Sequence, residues 1–339
     1  MQVNLSKKKI FIIAETACSH EGSVKRLKYL VKSAHDAGAD AIQFQVWNFN
    51  DMVTPIHPNY QNLKSLQLSS REWKNIFTYT KKNFPSLEII ACIYDLNALK
   101  LCEKFGANSY KIHTSDLGNV ELLKKVSKTK KRIDLSIGGS QLSEIKKSLR
   151  ILKYNNVWLM YGYQLFPTNP KNLNLLQLKK YEKIFNRLIG YQDHSPPDLS
   201  GFTVPAAALG VGIKIIEKHL TDNRERKGTD AEAALNPKEF KLFVQKCREA
   251  ATAIGDGKIK KLTKDQEKYR VYAKKKIFLS KGLKKNSIIK RKDLLIRQPI
   301  GKIGIDVDFI AKIIGKSIKK DMKAFSVVEK KTPQMTNAK

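Results

Sequence analysis

Two acidic or basic side chains stand where burial makes charge expensive. Glu15 closes the apolar run KIFIIAE, and Lys111 lies within the apolar stretch Tyr110–Thr114. A charge inside such a run is kept only when it is paired or used. Two histidines stand in similar places, His194 after Leu188–Gln192 and His219 at the end of IKIIEKH. Two imidazoles converging at one rim form a divalent-metal site, with carboxylates or water completing the coordination. Asp193, Glu217 and Asp230 are the nearby carboxylates. His20 follows the first apolar run and is either a substrate-site residue or a surface-loop histidine. His35 and His57 read as a helix and a loop residue. No GxSxG elbow, Walker loop or HExxH helix is present. No cysteine has a histidine partner in its sequence context that would make it a nucleophile.

These side chains need a scaffold that brings strand ends together. Apolar β-branched runs at Lys9–Glu15, Asp40–Trp47, Leu87–Tyr94, Tyr110–Thr114, Ile133–Ile137, Val157–Tyr163, Leu188–Gln192 and Ile213–His219 read as strands. Between them lie stretches of helical period. Ser23–Ala37 is stopped by Gly38, Ser70–Lys82 has Ser70 as its N-cap, and Ser143–Lys153 has Ser143. Further helices are expected over Asn119–Ser127, Leu173–Phe185, Ser200–Leu209 and Pro237–Ile254. Eight strand–helix units predict parallel pairing and a closed (β/α)8 TIM barrel over residues 1–258. An open doubly wound sheet is the competing architecture, and no GxGxxG follows the first strand to support it. In a (β/α)8 barrel the C-terminal strand ends form the active site. Those ends supply Glu15, Gln43, Gln45, Lys111, Thr114, Asp116, Ser136, Gln164, His194 and His219.

Composition then changes. Residues 259–275 read as a charged linker, 276–332 as a small β-rich domain with pieces such as KKIFLSK and DLLIRQP, and 333–339 as a disordered tail. A piece that small rarely folds on its own core. The chain has 339 residues, of which 42% are apolar, enough for a full core. No run of ~18 apolar residues is present to cross a membrane, and the polar Met1–Lys9 lacks the apolar core of a signal peptide. Four scattered cysteines without CxxC suit a reducing, cytoplasmic setting. The net charge of +33 is dispersed over lysines rather than gathered in an arginine-rich groove, which argues against nucleic acid as partner.

The chain resembles the sialic acid synthase family over almost its full length. The resemblance rests on Ile12-Ile13-Ala14-Glu15 through Ser19-His20-Glu21-Gly22, Ala37-Gly38-Ala39-Asp40-Ala41 with Phe44-Gln45, and Tyr110-Lys111-Ile112. Asp193-His194, Glu217-Lys218-His219 and Gly228-Thr229-Asp230 follow in order. It implies condensation of phosphoenolpyruvate with the open-chain aldehyde of an N-acetylated hexose, an amino sugar of the N-acetylmannosamine type. It also implies Mn2+ or Mg2+ on His194 and His219, with Glu15, Asp116 and Asp230 as catalytic acids. Substrate contacts are implied from Gln43, Gln45, Lys111, Thr114, Ser136, Gln164 and Phe166. The C-terminal piece resembles the family's antifreeze-like (SAF) domain. That resemblance implies a domain-swapped homodimer, with Arg297 reaching the partner's site. The departures collect at the phosphate end, where Gln43 replaces a lysine and Gln192 a serine, with Cys92 nearby. Two other readings stay open: a metal-dependent barrel aldolase or lyase using another enol donor, and a non-catalytic anion-binding relative.

Overall fold

The structure is a computed structural model that describes residues 10–299, 301 and 303–333. The chain forms two compact units, Met1–Asp256 and Gly257–Lys339. In the first, eight parallel strands close into a barrel: β1 (Phe11–Glu15), β2 (Ala41–Val46), β3 (Glu88–Ile93), β4 (Ser109–Ile112), β5 (Ile133–Ser136), β6 (Val157–Tyr161), β7 (Ile189–Asp193) and β8 (Ile215–His219). β1 closes the ring by pairing with both β2 and β8. Glu15 thereby lies in register with Gln43 on one side and His219 on the other.

Strand alternation sorts the side chains into two apolar bodies. Ile10, Ile12 and Ala14 join the large core under the helices. Phe11 and Ile13 point inward and meet Ala41, Ile90, Trp158 and Met160 inside the barrel. Phe11 and Trp158 pack edge to face at 5.4 Å between ring centroids. Near the N-terminal strand ends the interior is therefore filled by apolar side chains and a closed ionic network of Arg132 with Asp134 and Glu88, and the C-terminal half is polar.

Several local expectations are corrected. Helix Ser70–Asn83 is capped by Ser69, not Ser70, because Ser69 forms a reciprocal capping box with Glu72. Helix Leu142–Ile151 starts at Gln141 rather than Ser143, with Glu144 closing the box. The polar loop after β2 carries two short helices, Phe49–Met52 and Tyr60–Leu66. The segment read as a linker contains helix Lys264–Ala273, capped by Thr263 with Gln266 and burying none of its residues. In the second unit β9 (Lys276–Leu279) pairs antiparallel with β10 (Leu294–Arg297) over a core that includes Ile277, Leu279, Ile289 and Leu294. Thr332, the expected last residue of the small domain, is buried, and Pro333, expected in the tail, bridges Ile318. The expected tail over 334–339 and the polar start over 1–9 lie outside the described residues. Among the described residues no helix is long and apolar enough to cross a membrane.

Candidate active site

The inward alternation that places Phe11 and Ile13 at the barrel floor places Glu15 above them. The same period puts Gln43 and Gln45 on β2, Lys111 on β4, Ser136 on β5, Gln192 on β7 and Glu217 on β8 into the same space. Lys111 Nζ donates to Glu217 Oε1 at 2.5 Å and lies 3.8 Å from Glu15 Oε2. Burial alone would lower the Lys111 pKa, but Glu217 and Glu15 hold it above its ordinary value, so it stays a cation. Glu15 goes the other way. Burial pushes its pKa up to about 8, with Lys111 opposing and Glu217 adding to the rise. At neutral pH Glu15 is thus a neutral carboxyl. It accepts from the Ala17 backbone N–H at 2.8 Å and from Gln45 Nε2 at 3.4 Å.

A second strut crosses the barrel. Ser136 Oγ donates to Gln192 Oε1 at 2.7 Å, and Gln192 Nε2 donates to the same Glu217 oxygen that Lys111 uses, at 3.1 Å. Other polar atoms of this layer are buried without hydrogen-bond partners: Glu15 Oε2, Glu217 Oε2 and both side-chain atoms of Gln43. Buried polar atoms are almost always satisfied, so such a group marks a place for a polar ligand or water.

The two histidines meet beside this layer. His194 and His219 have ring centroids 5.4 Å apart, and the Phe166 ring lies 4.2 Å from His194 and 5.6 Å from His219. Burial lowers the His194 pKa to about 4 and that of His219 well below its usual value, so both rings are neutral. His194 Nδ1 sits 2.8 Å from the Tyr163 carbonyl oxygen. That oxygen only accepts, so Nδ1 carries the proton and Nε2 keeps its lone pair, the form that ligates a metal. Gly162 makes room for the ring, since a Cβ there would meet His194 Cε1 at 3.0 Å. Two neutral imidazoles fit a divalent ion, with water and substrate oxygens as further ligands. The expected help from Asp193 is not available. Its carboxylate faces the helix side, 2.9 Å from Lys218 Nζ, and accepts from the Ser195 N–H. Among the described residues no group of three His, Cys, Asp or Glu side chains is placed to hold a metal.

The other predicted residues have partners of their own. Thr114 Oγ1 donates to the Gly138 carbonyl at 2.6 Å, and a Cβ at Gly138 would lie 2.7 Å from Gln164 Nε2. Asp116 has its carboxylate in a local turn, accepting from Asn119 Nδ2 at 2.9 Å and Ser115 Oγ at 3.2 Å. Asp230 adopts a left-handed conformation at φ 61°, and burial raises its pKa to about 6. Arg297 lies in the second unit, where it donates to the Ile296 carbonyl. His20 is buried rather than on the surface. Its Nδ1 accepts from the Gly22 N–H at 3.1 Å and its ring packs edge to face on Trp73.

Sequence reasoning weighed Glu217 only as a neighbour of the two histidines, yet it anchors the cluster. Its spacing of two from His219 was the available signal. It passed over His113, which is two residues beyond Lys111, stacks near Tyr94 at 5.6 Å and is neutral because burial lowers its pKa to about 4.

Comparison with known proteins identifies relatives over most of the chain. The NeuB family matches residues 30–259. An uncharacterised protein of Methanocaldococcus jannaschii is 30% identical over 321 residues, covering 94% of this chain and 93% of its own. The N,N'-diacetyllegionaminic acid synthase of Campylobacter jejuni is 28% identical over 337 residues, covering 93% of this chain and 98% of its own. Among solved structures, the N-acetylneuraminic acid synthetase of Leptospira borgpetersenii in complex with citrate aligns with a TM-score of 0.70 at 28% identity. It covers 77% of this chain and 91% of its own.

Proposed function

The chain belongs to the NeuB family of nonulosonic acid synthases and is an enzyme, and from that premise we propose that it condenses phosphoenolpyruvate with the open-chain aldehyde of an N-acetylated hexose. The products are a nonulosonic acid and phosphate. One observation carries the reading: a cation, Lys111, between the Glu217 carboxylate and the neutral Glu15 carboxyl, beside two neutral imidazoles at the C-terminal end of the barrel.

His194 and His219 would hold Mn2+ or Mg2+, which when bound supplies Lewis acidity toward the sugar aldehyde. The chain's own groups do the rest. Lys111 stays charged and meets the donor's anion. Glu15, neutral with its pKa raised to about 8, holds a proton to give to an oxygen that becomes negative. Asp230, raised to about 6, takes a proton from the attacking water. Phe166 covers the imidazole pair and excludes bulk water. The donor's methylene carbon bonds to the aldehyde carbon, water adds at the donor's central carbon, and C–O cleavage releases phosphate. We assign residues 276–332 as an SAF-type domain that acts in trans within a homodimer, with Arg297 as its contributing side chain.

Phosphate release across a panel of N-acetylated hexoses, with and without EDTA, tests the reaction. Release with at least one acceptor, stopped by EDTA and restored by Mn2+, is expected. No release with any acceptor at saturating phosphoenolpyruvate and Mn2+ refutes it. A chain lacking residues 276–339 that stays monomeric and fully active refutes the role in trans.

A further inference from the structure

Charge is divided unequally between the two units. Residues 257–339 hold 25 of the 64 lysines and arginines and 7 of the 31 acidic residues, a net +18 of the chain's +33. Two antiparallel bridges, Leu283 with Met322 and Ile288 with Ser317, lay segments 284–287 and 318–321 side by side. That pairing sets Lys284 and Lys285 beside Lys319 and Lys320, all exposed. Among the described residues the ion pair here is Lys284 with Asp321, at 2.9 Å, and Lys285, Lys319, Lys320 and Lys323 have none. The next turn is closed by the Ser326 N–H on the Lys323 carbonyl at 3.2 Å. It carries Phe325 in a left-handed conformation at φ 61°. Glycine or asparagine adopts that backbone readily, whereas a bulky side chain there is strained. The ring is 71% exposed, so no packing within the chain offsets the strain. A strained, bulky residue at an exposed turn points to a partner outside the chain.

We propose that this face of the second unit docks on an anionic phospholipid bilayer, with Lys284, Lys285, Lys319, Lys320 and Lys323 over the headgroups and Phe325 inserted at their boundary with the acyl chains. Binding of this kind adds buried apolar area to attraction for anionic lipid, and the patch supplies both terms side by side. The choice of lysine favours a lipid surface over a nucleic acid. Residues 257–339 contain 22 lysines and 3 arginines. Arginine forks onto individual phosphates, whereas lysine is a hydrated point charge on a flexible stem, suited to a diffuse negative plane. Docking needs no spanning helix, and it concerns the second unit by itself, whatever reaction the barrel performs.

Flotation of the full chain with vesicles of equal phosphatidylcholine and phosphatidylglycerol tests it, against vesicles of phosphatidylcholine alone. Partition into the anionic vesicles only, weakened by added NaCl, is expected. Lys285→Gln with Lys319→Gln and Lys320→Gln should lower that partition about a hundredfold, at about fivefold for each lysine near the surface. Phe325→Asn suits the left-handed turn and should lower it about tenfold. The chain is basic throughout, so the control removes three charges from helix Leu142–Ile151 of the barrel: Lys146→Gln with Lys147→Gln and Arg150→Gln should lower partition less than about twofold. Every side chain replaced is exposed, so no variant should melt below wild type. Absence of partition into anionic vesicles overturns the proposal. Equal losses from the two triple variants also overturn it, because net charge and no particular face would then hold the chain. So does a Phe325→Asn chain that keeps full partition while duplex DNA displaces the vesicles, which marks a nucleic-acid surface.

Discussion

Each end of the barrel interior buries one cation, and the two ends treat it differently. At the N-terminal end Arg132 is saturated. Its guanidinium pairs with Asp134 at 2.8 Å and Glu88 at 2.7 Å, donates to Ser109 Oγ, and lies 3.8 Å above the Trp158 ring. At the C-terminal end Lys111 faces the Glu217 carboxylate and the Glu15 carboxyl, yet each of those groups keeps one oxygen without a hydrogen-bond partner, and Gln43 beside them makes no hydrogen bond with its side chain. Both are buried ionic networks. The first is closed on itself and plugs the barrel; the second leaves polar atoms without hydrogen-bond partners. What distinguishes a structural network from a functional one here is the number of polar atoms left over, not burial or charge.

The sharpest way to break this comparison is to strike the open end and look for a loss of chemistry without loss of fold. His219→Ala removes one of two facing imidazoles. Metal-dependent turnover is expected to fall by more than about a hundredfold, since even outer partners of metal ligands cost 10–100-fold. The urea midpoint should move little. Undiminished Mn2+ binding and turnover in the variant would show that the imidazole pair is not the metal site.

The reciprocal strike is Arg132→Met. It leaves Asp134, which is fully buried, without its partner. Removing one member of a buried ion pair costs about 3–5 kcal/mol, read as a lowered urea midpoint. The Michaelis constants of the fraction that stays folded should not change. A stability loss under about 1 kcal/mol would mean that the closed end is not a closed network.

A third test uses protons. Glu15 has its pKa raised from 4.5 to about 8, chiefly by burial. The folded chain therefore holds this proton more tightly than the unfolded chain does. Its contribution to stability is complete below about pH 4.5 and is lost as pH rises through about 8. His194 and His219, whose pKa values are lowered, and Asp230, raised to about 6, are common to variant and wild type, so the difference between the two chains reads Glu15. Glu15→Gln keeps the shape and cannot ionise. The melting temperature of the variant relative to wild type should rise between pH 6.5 and pH 8. A constant difference across that window would show that Glu15 is ionised throughout.

Much of this contrast was legible in the sequence, but not the pairing that creates it. The eight apolar runs, Gly38 as a helix stop, and histidines at the ends of β7 and β8 are local signals, and they placed the two imidazoles side by side. The capping serine was missed by one position although Glu72, three residues after Ser69, marks the box. Gln141 with Glu144 carries the same signal. Lys111 meets Glu217 across 106 residues of chain. Arg132 finds Glu88 from 44 positions away. No periodicity encodes such contacts, because closure of the barrel makes them. For the same reason Gln192 appeared as a departure from a motif and not as the strut between Ser136 and Glu217.

That strut supplies the smallest expected effect and the finest test of the comparison. Gln192 belongs to the open end, yet its own amide is satisfied on both sides, accepting from Ser136 and donating to Glu217. If leftover atoms define the functional end, Gln192 should behave partly like Arg132, as structure, and partly as a support for Glu217. Gln192→Met preserves length and removes both hydrogen bonds, orphaning a buried serine hydroxyl. The cost should be about 1–2 kcal/mol, the range for losing a buried neutral partner, well below that of Arg132→Met. Glu217 would then keep Lys111 as its partner but lose its second donor, so kcat should fall more than the Michaelis constant for the sugar rises. Gln192→Glu would separate the two roles, because it can still accept from Ser136 when ionised but sets a second carboxylate against Glu217. If Met and Glu at this position cost the same in stability and in kcat, the strut only fills space. If Glu costs clearly more in kcat, the amide is there to hold Glu217 in place beneath Lys111.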